Sequence, residues 1–172
     1  MQQHVNPEAA QQEMANQQYL QQLRTAFDNM PGGDIALLLF AEKSRDDVFV
    51  QACRQVIRAF RELSDRITLR EYDLDHDLAQ QYNVTSSPTI LIAPERYSIR
   101  WIGAPMGEEA RIFLETLMLV GYGESQLSDQ SKGALKNLDS PRQVKIFVSP
   151  TCPYCPQQAV NAIKVAVEKP DQ

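Results

Sequence analysis

No apolar run in this sequence of 172 residues approaches the roughly 20 residues that a membrane-spanning helix needs. The opening stretch, MQQHVNPEAAQQEM, lacks the basic region and apolar core of a secretory signal. Positive charge is short as well: 17 Lys and Arg stand against 22 Asp and Glu, a net charge of −5. That balance argues against nucleic acid or an anionic membrane as the main partner. Three cysteines make a poor disulfide framework, and a C-x-x-C pair in such a chain points to redox or metal chemistry in a reducing, cytoplasmic setting. What is present is ordinary for a globular protein, 43% hydrophobic and 23% charged. The length suits one or two small domains with a real core.

Residues 1–30 are rich in glutamine and carry Leu20, Leu23, Phe27 and Met30 at spacings of three and four. That stripe predicts a helix laid on a neighbouring core, stopped by MPGGD. IALLLF (Ile35–Phe40) reads as a buried strand. The next segment sets Phe49, Ala52, Cys53, Val56, Phe60 and Leu63 on one helical face. RITLREYDLD reads as a strand, DLAQQYNV as a short helix, and TILIAPE and YSIRWIG as two strands joined near Pro94–Arg96. GEEARIFLETLMLVGYG then predicts a helix with Ala110, Phe113, Leu114 and Leu117 on one side and a glycine-rich end. The order β-α-β-α-β-β-α predicts an α/β sandwich whose sheet starts parallel and finishes antiparallel.

GYGESQLSDQ reads as a linker, SDQSKGALKNL as a short helix and DSPRQ as a loop. VKIFVS (Val144–Ser149) predicts a further strand, PTCPYCP a strand-to-helix turn, and QQAVNAIKVAVE a helix bearing Ala159, Ala162, Ile163 and Ala166. This repeats how the first unit begins and stops after one helix. One strand and one helix cannot bury a sheet of their own. The helix must therefore dock on the first unit, join another chain or stay mobile, and weak anchoring is expected from Pro141 onward.

Cys152 and Cys155 carry the chemistry. Their spacing lets one turn bring two sulfurs together, and the thiolate is the reactive form of each. A helix N-terminus behind the first cysteine offers unpaired N–H groups and the positive end of the macrodipole. Pro156 suits a first turn, where a missing N–H costs nothing, and Pro153 stiffens the turn around Tyr154. In this geometry Cys152 is the attacking sulfur and Cys155 resolves the mixed disulfide. Three other roles compete: a purely structural disulfide, an iron–sulfur cluster shared between chains, and zinc. Zinc needs about four ligands, and only Cys53, His4 and His76 could join the pair. Cys53 lies on the apolar helix face and is expected in the core. His76, among Asp73, Asp75 and Asp77, reads as solvated, and Trp101 as packed or lying at a sheet edge.

VKIFVSPTCPYCPQQA resembles the second active-site segment of the glutaredoxin-like protein disulfide oxidoreductases, which carry two tandem thioredoxin folds. YDLDHDLAQQYNVTSSPTI, IRWIGAPMGEEA and GYGESQLS agree in order, so the resemblance runs from about Ile35 onward. The chain is also similar to the N-terminal domain of the alkyl hydroperoxide reductase flavoprotein subunit, whose first unit has no cysteine pair. Here AEKSRDDVFVQ stands where a first C-x-x-C would be expected. The resemblance implies one complete thioredoxin-like unit plus the first strand and helix of a second. It divides the chain into a helix packed on unit one (1–30), a redox-silent unit (31–122), a linker with a short helix (123–143) and the start of a CPYC-bearing unit (144–172).

The resemblance further implies a cis peptide bond before Pro88, architectural where no cysteine pair faces it. Thioredoxins place a buried aspartate six residues before the nucleophile; this chain has Ile146. The implied activity is thiol–disulfide exchange on protein disulfides with no bound cofactor and no metal. Electrons would come from glutathione or a thioredoxin-reductase-like flavoprotein. The alternative is a redox-inactive scaffold or docking domain, such as the N-terminal part of a larger flavoprotein disulfide reductase.

Overall fold

Pro31, Gly32 and Gly33 end an N-terminal helix, α1 (Pro7–Asp28), and release the chain into strand β1 (Ile35–Phe40). Gly33 takes a φ of 85°, a region that glycine enters without a Cβ penalty. The structure is a computed structural model and describes residues 7–44, 47–149 and 152–170; His4 lies outside the described residues. From β1 the order continues through α2 (Val48–Arg61), β2 (Ile67–Tyr72), α3 (Asp77–Gln81), β3 (Thr89–Ile92), β4 (Ile99–Ile102) and α4 (Glu108–Tyr122). This is the β-α-β-α-β-β-α succession expected of the complete unit. A linker helix, α5 (Asp129–Leu135), and a last helix, α6 (Cys155–Glu168), follow.

The four strands lie in the order β2-β1-β3-β4. β1 and β2 run parallel, with Ile35 opposite Ile67 and Phe40 opposite Tyr72, while β3 and β4 are antiparallel to their neighbours. Central β1 is covered on both faces. Leu37 and Leu39 join the core under α2 and α4, and Leu38 and Phe40 join Ala79 of α3, Val84 and Leu91. Two-sided burial explains its unbroken apolar run. No helix among the described residues is long and apolar enough to cross a membrane.

Side chains at helix starts set the details. The Asp47 carboxylate accepts the N–H groups of Phe49 and Val50 at 3.0 and 3.1 Å, capping α2. The helix phase this fixes buries Val50, Cys53 and Ile57. Phe49 is left exposed and Val56 only half-buried, while Ala52, Cys53, Phe60 and Leu63 of the expected stripe lie in or against the core. His76 caps α3: its Nδ1 accepts the Leu78 N–H at 3.1 Å, and its ring packs 4.5 Å from that of Tyr72. Trp101 is packed, edge-on to Phe113 at 5.3 Å.

Two segments depart from expectation. α1 docks only by its end. Phe27 and, just beyond the helix, Met30 are buried, but Leu20 is 41% exposed and the described side chains before it face solvent. Upstream of Leu20 the helix carries mostly Gln, Asn, Glu and Ala, which have little apolar surface to bury. Val144–Ser149 forms no strand. Its residues are exposed; it joins neither edge of the four-stranded sheet, and a strand without a neighbour has no ladder to join.

α1, β1 and α4 are clamped where they meet. The Gly32 N–H donates to the Gly121 carbonyl at 2.9 Å. The Arg96 guanidinium donates to the carbonyls of Gly32 and Asp34, and Arg66 to those of Phe27, Asp28 and Met30. A Cβ on Gly121 would stand 2.0 Å from Met30 Sδ, so this helix turn has no room for one. In an open helix Gly→Ala gains up to about 1 kcal/mol. Here Gly121→Ala is expected to lose about 1–3 kcal/mol in urea unfolding. Met30→Ala makes space for the new methyl, so the double variant is expected to lose less than the sum of the two single changes.

Candidate active site

α6 lies along α4. Ala159, Val160 and Val167 are buried in the main core, with Ile163 and Ala166 packed at its margin. Of the three fates open to this helix, docking on the first unit is the one adopted. Its far end is tied down as well: the Glu168 carboxylate accepts the Ser125 hydroxyl at 2.5 Å and lies 3.7 Å from Lys132 Nζ of α5. The expectation of weak anchoring from Pro141 onward therefore fails for α6, while Val144–Val148 is exposed and pairs with no strand.

At the near end of α6, Cys152 and Cys155 are joined as a disulfide, with Cα atoms 5.5 Å apart. The helix starts at Cys155 itself, earlier than the QQAV stretch, with Pro156 in its first turn. No side chain caps it from Tyr154. Instead the Cys155 N–H donates to Cys152 Sγ at 3.1 Å, and the Cys152 N–H donates to the Ser149 carbonyl at 3.0 Å. Cys155 Sγ lies 3.9 Å from the Phe147 carbonyl oxygen. One sulfur thus faces a donor and the other an acceptor. Both cysteines are half-buried and Pro153 is exposed. Tyr154 and Phe147 flank them at 78% and 88% exposure.

The equivalent place in the first unit is organised without sulfur. The Glu42 N–H donates to Ser87 Oγ at 3.0 Å, and the Ser87–Pro88 peptide bond is cis. The first of these ties the segment to the loop after β1, and the Gly103 N–H, which donates to the Pro88 carbonyl at 2.9 Å, ties it to the end of β4. Lys43 joins that loop to Asp73 by its N–H and its ammonium group. Burial opposes ionisation of Asp73, but the N–H groups of Leu74 and Lys43 outweigh it and hold the carboxyl below its ordinary range.

Cys53 is free and fully buried, its Sγ 3.5 Å from the Gly103 carbonyl. Burial, followed by the nearby Asp47 carboxylate, pushes its thiol up to about 12. Among the described residues no group of three or more His, Cys, Asp or Glu is arranged to hold a metal ion. Ile146, at the position of the thioredoxin aspartate, is 40% exposed. Sequence reasoning did not single out the Phe147 carbonyl, since a main-chain acceptor leaves no mark in residue type.

No protein-family model and no curated protein matches the chain. Solved structures do. A protein disulfide oxidoreductase from Aeropyrum pernix is similar over 88% of this chain and 67% of its own, with 27% identity and a TM-score of 0.72. The alkylhydroperoxide reductase AhpF from Enterococcus faecalis is similar over 88% of this chain and 73% of its own, with 25% identity and a TM-score of 0.73. The NTD N/C domain of that reductase gives 26% identity and a TM-score of 0.72 over the same shares. The fold is thioredoxin-like, and both likenesses read from the sequence hold.

The contrast between the cysteines is open to measurement. In the folded chain, after reduction, two thiols are expected to react promptly with a thiol reagent near pH 8, and Cys53 only after denaturation. Prompt labelling of all three in folded protein would contradict the burial of Cys53.

Proposed function

We propose that this chain is a thiol–disulfide oxidoreductase in which Cys152 attacks and Cys155 resolves. The observation that carries this is the unequal setting of the two sulfurs. Cys152 Sγ receives the Cys155 N–H at the helix start, a setting that favours an anion. Cys155 Sγ faces the Phe147 carbonyl, which suits a protonated thiol. The likeness to a disulfide oxidoreductase and to an alkylhydroperoxide reductase supports the same chemistry.

In the reduced chain the Cys152 thiolate attacks one sulfur of a protein disulfide. A mixed disulfide forms, and one substrate thiolate leaves. Cys155 then gives up its proton and attacks Cys152 Sγ, which closes the Cys152–Cys155 bond and releases the second substrate thiolate. The substrate gains two electrons and the chain loses two. A thiol or dithiol donor, either glutathione or a flavoprotein reductase, returns them, and no bound cofactor takes part. Pro153, Tyr154 and Pro156 shape the turn.

The hydrogen-bonded loop of Glu42, Ser87 and Pro88 favours a second role for unit one. It acts as a redox-silent scaffold on which α6 is held. If scaffolding is the whole function, the 172-residue chain will show no turnover in a disulfide-coupled reductase assay.

Under the proposal Cys152→Ser reduces exchange to background. Cys155→Ser keeps the first step, accumulates a mixed disulfide and loses at least about tenfold in turnover. Mass spectrometry of the trapped species and the coupled assay check both. Exchange that survives Cys152→Ser, or equal trapping by the two variants, would overturn the assignment.

A further inference from the structure

Closing the Cys152–Cys155 bond requires Cys155 to give up a proton, and its own segment holds no group suited to take one. From Ser140 to Val167 the sequence has no carboxylate and no histidine. An acceptor within the fold has to come from an element packed beside the start of α6, and α4 is that element.

The two helices run parallel. Glu168, the last residue of α6, is bonded to Ser125, just beyond the C-terminal end of α4, so both C-termini lie at one end of the packed pair. Cys155 stands thirteen residues before Glu168, and Glu109 stands thirteen before Tyr122, each about 20 Å back along its axis. The start of α6 and the first turn of α4 therefore lie side by side. Around the axis of α4 the position fits as well. Phe113 meets Phe60 and Trp101, and Gly121 backs onto Met30. Glu109, Ile112, Thr116 and Leu119 follow at spacings of three and four as a separate stripe. Its last three members are buried on the side left for α6.

Glu109 is half-buried, yet among the described residues its carboxylate has no hydrogen bond and no ion pair. Burial raises its pKa above the ordinary carboxylate range. Its charged neighbours on α4 are engaged with one another, Arg111 lying 3.4 Å from Glu108 and 3.9 Å from Glu115. α6 brings no charged side chain before Lys164, Val144–Ser149 brings Lys145 alone, and the loop from Gly103 to Gly107 brings none. A carboxyl kept from water without a partner is a cost to folding, and such groups gather where protons are moved.

We propose that Glu109 is the proton acceptor for Cys155, so that the first unit supplies a catalytic group to the disulfide on α6. This rests on the thiol–disulfide exchange proposed above. As Cys155 Sγ attacks Cys152 Sγ, its S–H bond breaks and the proton passes to the Glu109 carboxylate, directly or through one water. The electron pair of the sulfur forms the S–S bond, and the substrate leaves as a thiolate. When a donor thiolate reopens the disulfide at Cys152, Cys155 leaves with the bonding pair and takes the proton back from Glu109.

The full chain carrying Glu109→Gln tests this. Near pH 7 its mixed disulfide with substrate is expected to accumulate although both cysteines are present, and resolution to slow at least about tenfold. The first attack, followed by labelling of Cys152, is expected not to slow. Above about pH 8.5 a free thiol ionises without help, so the defect is expected to fade there, and Glu109→Asp is expected to restore part of the rate near pH 7. Resolution at the unaltered rate near pH 7 overturns the proposal. So does a defect of one size at every pH, which marks Glu109 as a structural residue only. If Cys155→Ser traps no mixed disulfide at all, the exchange reading itself fails and this inference falls with it.

Discussion

The docking of α6 on α4 is the contact on which the arrangement of this molecule depends. α4 is buried around more than half its circumference: Leu119 and Gly121 point in nearly opposite directions at 100° per residue, and both are covered. One side of such a helix can face the sheet, here through Phe113 and Leu117. Another needs a second cover, and α6 supplies it with Ala159, Val160 and Val167. Small Ala and β-branched Val allow close approach without long side chains to order. Because Cys155 opens α6, the same contact fixes where the disulfide stands. A helix that follows the linker thus completes the core of the four-stranded unit.

Much of this could be read from residue order, and the failures share a cause. The succession of elements, the two-sided burial of β1 and the core position of Cys53 follow from local patterns such as an unbroken apolar run and a cysteine on an apolar face. Val144–Ser149 has an equally good local pattern, yet it is not a strand. Strand formation needs a neighbour, and neighbours are non-local. α1 fails in a different way. Its apolar stripe is genuine from Leu23 to Met30, but periodicity says nothing about how far the surface beneath a helix extends. In α2 Ala52, Cys53, Phe60 and Leu63 face the core as expected, and only Phe49 and Val56 stand where Val50 and Ile57 are buried. The Asp47 cap settled it, and the acidic run before the helix had already contained that signal.

The two repeats solve one problem in two ways. Each begins a helix after a loop, and each helix start leaves N–H groups to satisfy. In α2 the Asp47 carboxylate takes two of them. The sulfur in that helix, Cys53, sits beyond the first turn against the Gly103 carbonyl, where burial pushes its thiol up to about 12. In α6 no side-chain oxygen caps the start, and an N–H is left for Cys152 Sγ. One carboxylate, and the placing of a cysteine before rather than inside the helix, separate the settings of the two sulfurs.

The loop around Pro88 shows why the first unit keeps its shape without that chemistry. Glu42 bonds to Ser87, Lys43 to Asp73, and Gly103 to Pro88, so the four segments that meet there are joined by polar contacts involving no sulfur. A cysteine pair would add reactivity to this place but little cohesion. Its absence is tolerable because the cost of lacking a thiol is chemical, whereas the cost of losing Asp73 would be structural: two main-chain N–H groups would be left without their carboxylate. The first unit is held together at this place by these contacts, and α6, which begins at the Cys152–Cys155 disulfide, is held against it.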